Sequence, residues 1–118
     1  MKNRSDDAKL LEEFRAAAVS YGEALEIGHH KAANQAASLG GRLKKEIVAR
    51  GNPTVGCLLK MLDDRNPWIR LAAAATTLDI EPERAYQVLA ELQAFPKAIG
   101  SAAFTVIRMW ETGDLPAQ

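Results

Sequence analysis

The chain has 118 residues, 47% of them hydrophobic and 25% charged, which fits one small domain over residues 1–118 and excludes a disordered chain. Fifteen cations balance fifteen anions, so net charge identifies no polyanionic partner, and the single cysteine excludes an intramolecular disulfide and multi-cysteine zinc sites. No apolar run approaches the roughly 20 residues that span a bilayer, and the charged first residues do not resemble a signal peptide. We therefore expect a soluble cytoplasmic protein with no membrane association.

Two long amphipathic helices are predicted first. Apolar residues recur at a spacing of 3.6 over residues 10–25, which predicts a helix that ends near Gly28. A second helix is predicted over residues 29–50, with Gly51 as its C-terminal stop. The two faces of this second helix differ in character. Its expected inward stripe is Ala32, Ala36, Leu39, Gly40, Leu43 and Ile47, and its opposite stripe is Lys31, Gln35, Ser38, Arg42 and Lys45.

The pair Gly40–Gly41 lies in the middle of the second helix. Each glycine costs on the order of 1 kcal/mol relative to alanine inside a helix. Two structures are compatible with the pair: a continuous helix in which close packing at Gly40 offsets part of the cost, or a break into two helices.

A turn over residues 63–66 separates a third helix, which follows Asn52–Pro53, from a fourth helix that runs from Pro67 to about Leu78. Asn66 is expected to cap the fourth helix, and proline is tolerated in a first helical turn because no N–H is needed there. The fourth helix is apolar on two sides, which predicts that other helices pack on both sides of it. We expect it in the middle of the fold.

Two further helices complete the predicted fold. The fifth begins at Glu81–Pro82, and Pro96 separates it from the sixth, which ends at Gly113. No segment has a strand pattern, so the sequence predicts an all-α protein with six helices that form three antiparallel pairs. The expected inward residues of the last two helices are Ala85, Val88, Leu89 and Leu92, then Ile99, Ala102, Ala103, Val106, Met109 and Trp110.

The middle of the chain resembles a HEAT repeat, although Leu78 comes one residue later than in the common pattern. The residues that carry this resemblance are Leu58-Leu59, Leu62, Asp64, Asn66-Pro67, Ile69-Arg70 and Ala72-Ala73. The whole chain also resembles a family of small bacterial proteins catalogued as domain of unknown function two thousand and nineteen. That resemblance rests on Lys31-Ala32-Ala33-Asn34, Arg50-Gly51, Asn66-Pro67-Trp68-Ile69-Arg70-Leu71, Thr77-Leu78-Asp79-Ile80-Glu81-Pro82 and Met109-Trp110 with Gly113. It implies a short HEAT-like α-solenoid and supplies no catalytic residues.

No catalytic or metal-binding group is predicted. His29 and His30 are adjacent, so on a helix they point about 100° apart and do not easily reach one ion. Cys57 has no histidine or acid pattern near it in sequence and is expected to be a small core residue. We therefore predict no enzyme activity and no cofactor.

The turn before the fourth helix holds a second group of polar residues. Asp64, Asn66 and Arg70 are expected to stabilise this turn rather than to perform acid–base chemistry. Trp68, beside the turn, has two interpretations: it packs against a neighbouring helix pair, or it anchors a partner protein at the surface.

Charge is distributed unevenly along the chain. Residues 29–51 hold five cations and one anion, whereas residues 79–118 hold three cations and six anions. The second helix of each pair in a solenoid usually lines the concave side, and the polar stripes of those helices carry cations without acids. The stripe of the fourth helix is Arg70 and Thr77, and that of the sixth is Ser101, Thr105 and Arg108.

We therefore predict a non-catalytic binding module whose basic concave surface receives an acidic protein, as an adaptor or a toxin-neutralising protein would. The expected partner-binding residues are Lys31, Gln35, Arg42, Lys45, Trp68 and Arg108. Two alternatives stay open: nucleic-acid backbone binding by the same stripes, and an enzyme of unknown type.

Overall fold

A computed structural model of the protein describes residues 4–114, with their side chains from residue 6 onward. Within that range the chain forms six α-helices: α1 (Arg4–Glu26), α2 (His30–Arg50), α3 (Thr54–Lys60), α4 (Pro67–Thr77), α5 (Pro82–Gln93) and α6 (Lys97–Thr112). A short 3-10 turn over Met61–Asp63 extends α3, and the described residues contain no strand. The prediction of an all-α chain with six helices is confirmed. None of the helices described is long and apolar enough to cross a membrane.

The second helix, α2, runs unbroken through Gly40–Gly41, so the continuous alternative is correct. The reason expected for it is wrong. A Cβ atom added to either glycine would meet no other part of the protein within 4 Å. Close internal packing therefore does not account for the pair. Gly51 ends the helix with φ of 73°, a left-handed conformation that favours glycine.

The fourth helix, α4, contacts every other helix described, which confirms its predicted central position. Ala73 and Ala74 are fully buried on it. At its start, the Asn66 side chain accepts a hydrogen bond from the backbone N–H of Trp68 at 2.8 Å, and Pro67 occupies the first helical position. This cap satisfies one of the N–H groups that a helix start otherwise leaves without a partner.

One hydrophobic core contains buried side chains from all six helices. The inward face of α5 is the predicted one, since Ala85, Val88, Leu89 and Leu92 are its buried residues. The predictions for α2 and α6 are wrong in part. Leu39 and Trp110 are 39% and 38% exposed, and Lys44 is buried at 2% exposure. Periodicity defines the faces of a helix, but only the neighbouring helices decide which residues at the edge of a face become covered.

Four ion pairs between described residues join separate parts of the fold, one of them between Arg15 of α1 and Asp64 in the turn before α4. The ammonium group of the buried Lys44 donates to Asp79, in the connection between α4 and α5, at 3.0 Å. Arg50 near the end of α2 pairs with Asp7 near the start of α1 at 2.6 Å. At the surface, Arg84 of α5 pairs with Asp63 at 2.8 Å. Of these four pairs, Lys44–Asp79 is the one with a fully covered charge, so its disruption should change the free energy of unfolding most.

Candidate functional site

A groove of about 560 Å³ lies between α1, α2 and α4, with Val106 of α6 at its side; we call it the α1–α2–α4 groove. Its floor is apolar. The floor residues from α1 and α4 are Phe14, Ala18, Tyr21, Leu71, Ala72 and Ala75. Phe14, Ala18 and Leu71 are themselves buried in the core, so the accessible part of the floor comes from the other three. The wall from α2 is made of small residues, namely Ala36, Ala37, Gly40 and Gly41. The groove can therefore accept apolar groups from outside the chain without any rearrangement of large side chains.

Polar residues of α2 form the rim of this groove. Ser38, Arg42 and Lys45 line the groove itself, and a shallower hollow beside it is lined by Lys31, Asn34, Gln35, Ser38 and Arg42. Residues that are three and four positions apart lie on the same face of a helix. We call Lys31, Gln35, Ser38, Arg42 and Lys45 the basic face of α2. Four of the six predicted partner-binding residues are thus brought together beside one groove.

The cations of the basic face have no acidic partner within the described structure. Lys31, Arg42 and Lys45 are exposed and form no ion pair there, and no Asp or Glu is among the described residues that line the groove or the hollow. By contrast, Arg15, Lys44, Arg50 and Arg84 are each paired with a carboxylate. The charge of the basic face is therefore available to an anionic partner.

The floor of the groove is uncharged at physiological pH. Burial raises the pKa of the Tyr21 hydroxyl above its ordinary value, because the phenolate form loses its hydration there. Neither a carboxylate nor an imidazole lines the groove in the described structure. The arrangement suits binding of an apolar surface flanked by anions.

Of the two interpretations of Trp68, packing against a neighbouring helix pair is the one that the structure supports, and its place among the expected partner-binding residues is wrong. Its side chain is only 8% exposed. Its ring occupies the space beside Gly22 of α1 and meets the Tyr21 ring edge-on, with ring centroids 5.9 Å apart. The indole N–H donates to Glu26 at 3.4 Å. Trp68 therefore fastens α4 to α1 and presents no anchor to a partner, because the glycine in α1 opens a slot for it.

Two further stripe residues lie elsewhere than expected. Arg108 is exposed on α6, but it does not line the groove. Thr77 is fully buried, and its hydroxyl donates to the carbonyl of Ala73 at 2.8 Å, so it takes no part in a concave polar stripe. Of the sixth helix, only Val106 lines the groove.

The turn before α4 is held by a network of hydrogen bonds. Asp64 accepts from the backbone N–H of Asn66 at 2.9 Å and pairs with Arg15 of α1 at 2.7 Å. The Arg70 guanidinium donates to the carbonyls of Asp64, at 2.8 Å, and of Arg65, at 3.3 Å. Arg70 is thereby committed to the turn, and its charge is not part of the groove.

The pKa of Asp64 responds to this network. Burial alone would raise the pKa, but the N–H of Asn66 and the charges of Arg15 and Arg70 outweigh it and lower the pKa below its ordinary value. A group with a depressed folded-state pKa contributes stability above its unfolded pKa of about 4, and that stability is lost as pH falls through the folded value.

We expect Asp64→Asn to lower the free energy of unfolding by about 0.5–1 kcal/mol at pH 7, because the amide still accepts the Asn66 N–H but loses the ion pair with the half-exposed Arg15. Urea unfolding of both proteins at pH 7 and at about pH 3 checks this. The difference should shrink at the lower pH, where the wild-type carboxylate begins to protonate. An equal difference at both pH values would contradict the assigned pKa direction.

The two histidines and the cysteine lie outside the groove. His29 and His30 are exposed at the start of α2, and Cys57 is half-buried in α3 rather than in the core as expected. Within residues 4–114, no three side chains of His, Cys, Asp or Glu come together as metal ligands.

Sequence reasoning missed the groove itself. The residues of its floor follow the same 3.6-residue pattern as core residues, so nothing in the sequence separates them from the core. The one available signal was Gly40–Gly41, a costly pair inside an otherwise regular helix.

The resemblance to HEAT-like proteins stays a prediction. Comparison with family models, with curated proteins and with solved structures finds no match to this chain.

Proposed function

We propose that this protein is a non-catalytic binding module that holds an acidic surface of another protein on the basic face of α2. The observation that carries the proposal is the alignment of three unpaired cations, Lys31, Arg42 and Lys45, beside an apolar groove. An apolar centre bordered by polar and charged side chains is the general arrangement of protein-binding surfaces. An adaptor or a toxin-neutralising protein of the cytoplasm would use such a surface.

We further propose that the six helices form a HEAT-like solenoid of three antiparallel pairs, α1 with α2, α3 with α4, and α5 with α6. The extensive packing of α1 on α2 and of α5 on α6 supports the first and third pairs. Membership of the bacterial family of unknown function named above is part of the same proposal. In this arrangement a rigid curved scaffold presents the basic face, as solenoid proteins do.

Nucleic acid is the second candidate partner, because exposed cations also bind phosphates. Two features argue for a protein. The net charge of 0 supplies little long-range attraction to a polyanion. The apolar floor of the groove has no use against a phosphate backbone, whereas it suits the apolar side chains of a protein.

The double variant Arg42→Glu/Lys45→Glu tests the proposal. Both side chains are exposed and unpaired in the described structure, so the core should fold unchanged. We expect at least about a tenfold loss of partner retained from a native-host extract, quantified by mass spectrometry, because like charges would then face each other. The matched control is Lys9→Glu/Lys60→Glu, which makes the same charge change at exposed positions outside the groove and should retain the partner.

Full retention by the Arg42→Glu/Lys45→Glu protein would contradict the proposal. Gel shifts of the unmodified protein with duplex and single-stranded DNA at about 150 mM salt separate the two candidate partners. Tight binding to duplex DNA would favour nucleic acid if it depends on salt in the expected way. The logarithm of the association constant should then fall linearly with the logarithm of the salt concentration, with a slope of about −0.9 per neutralised phosphate.

A further inference from the structure

The glycines inside the helices fall into two classes. At Gly22 an added Cβ would collide with the Trp68 ring, and at Gly100 it would collide with the backbone carbonyl of Phe95. Internal packing therefore requires both of these glycines. At Gly40, Gly41 and Gly56 an added Cβ would meet nothing within 4 Å; Gly56 stands alone in the first turn of α3, whereas Gly40 and Gly41 are adjacent in the middle of α2 and each weakens that helix. The folded chain gives no packing reason for this pair.

Gly40 and Gly41 both line the α1–α2–α4 groove. Glycine permits the close approach of another backbone, and departures from local propensity without an internal reason are expected at functional sites. Two further features of the groove indicate a ligand from outside the chain: its apolar floor and the unpaired cations at its rim. Together they indicate that something from outside the chain approaches α2 closely at this point.

We infer that the groove receives an acidic amphipathic α-helix of the partner protein, with the helix backbone lying against Gly40–Gly41. This inference rests on the proposed function. Side chains at positions i, i+3, i+4 and i+7 of the incoming helix contact the apolar floor, and its Glu or Asp residues flank that stripe and meet Arg42 and Lys45. The charge of the rim selects acidic helices over basic ones.

A helix fits this groove better than an extended peptide does. The groove walls are helices, whose own backbone groups are hydrogen-bonded, so they offer no ladder to an incoming strand. An extended peptide would lose the hydration of its N–H and C=O groups without replacement, whereas a helix satisfies its own. The wall from Ala36 to Lys45 rises about 13 Å along α2, which matches two to three turns of a docked helix.

The test uses a fluorescein-labelled synthetic peptide of about 16 residues, with leucines at i, i+3, i+4 and i+7 and glutamates on both flanks. A scrambled peptide of equal composition is its control. Fluorescence anisotropy with the full chain should give a Kd at least about tenfold lower for the amphipathic peptide. Equal affinities would overturn the inference. Binding of dodecanoate without binding of the peptide would also overturn it and assign the groove to a small amphipathic anion.

The variant Gly41→Leu places a side chain in the groove without changing charge. We expect about a tenfold or greater rise in the Kd of the amphipathic peptide, with no fall in the urea midpoint because leucine favours helix more than glycine does. Gly56→Leu is the matched control, since Gly56 is also a helical glycine with open space around it but lies outside the groove. Gly41→Ala, which adds a single methyl group, serves if the larger substitution disturbs the fold.

Two results separate this inference from the proposed function. If Gly41→Leu leaves peptide binding unchanged while Arg42→Glu/Lys45→Glu abolishes partner capture, the helix in the groove is wrong and the basic face stands. If Gly41→Leu weakens the peptide and charge reversal leaves capture intact, the groove docking stands and the role of the basic face is wrong.

Discussion

Replacing Trp68 with alanine should lower the free energy of unfolding by about 3–5 kcal/mol, the usual cost of deleting a large buried aromatic side chain. The Trp68 side chain is 8% exposed and fills a slot that Gly22 leaves open in α1. The substitution also removes the edge-on contact with Tyr21 and the hydrogen bond to Glu26. Urea unfolding followed by far-UV circular dichroism measures the change. A loss below about 1 kcal/mol would mean that Trp68 is a surface residue.

Gly22→Ala provides a control whose effect should change sign. In the wild-type protein the new methyl group would collide with the Trp68 ring, so we expect destabilisation of about 1–3 kcal/mol. In the Trp68→Ala background the ring is gone, and the same substitution should stabilise the protein by up to about 1 kcal/mol through helix propensity. Two effects of the same sign would contradict the contact between these residues.

We expect Asp79→Asn to lower the free energy of unfolding by about 3 kcal/mol, the second largest effect expected. Lys44 is 2% exposed, and its ammonium group donates to Asp79 at 3.0 Å. Removal of one partner from a buried pair leaves a covered charge without compensation, which costs about 3–5 kcal/mol. The side chain of Asp79 is 38% exposed, so water reaches part of the site and we expect the lower end of that range.

Lys44→Met removes the buried charge instead and serves as the contrasting variant. Methionine has nearly the same length and no charge. The free energy of unfolding should therefore fall by no more than about 1 kcal/mol, and an increase is also consistent with this reasoning. In the Lys44→Met background, Asp79→Asn should then have little effect. Both measurements are urea melts at neutral pH. Equal losses for Lys44→Met and Asp79→Asn would show that the pair itself, rather than the cost of an unpaired ammonium group, determines stability.

The sequence by itself determined the helices and the place of the central one. Asn66 and Pro67 mark the start of α4, and Gly51 and Gly113 mark the ends of α2 and α6, because capping and backbone conformation depend on residues only a few positions away. The apolar character of α4 on two sides also predicted its contacts on both sides, since such a helix is stable only when both sides are covered. The basic face of α2 was readable in the same way, as one stripe at helical spacing.

Only the tertiary structure decided which of the predicted binding residues are exposed to a partner. Lys44 and Lys45 are neighbours in sequence, yet one is buried in an ion pair and the other lines the groove, because the edge of a helix face is covered only where another element reaches it. The sequence alone allowed Trp68 to be exposed or buried. It is buried because Gly22, 46 positions earlier, leaves space for its ring in α1. The groove has the same origin: its floor has the residue pattern of a core, and only the spacing of α1, α2 and α4 leaves it open.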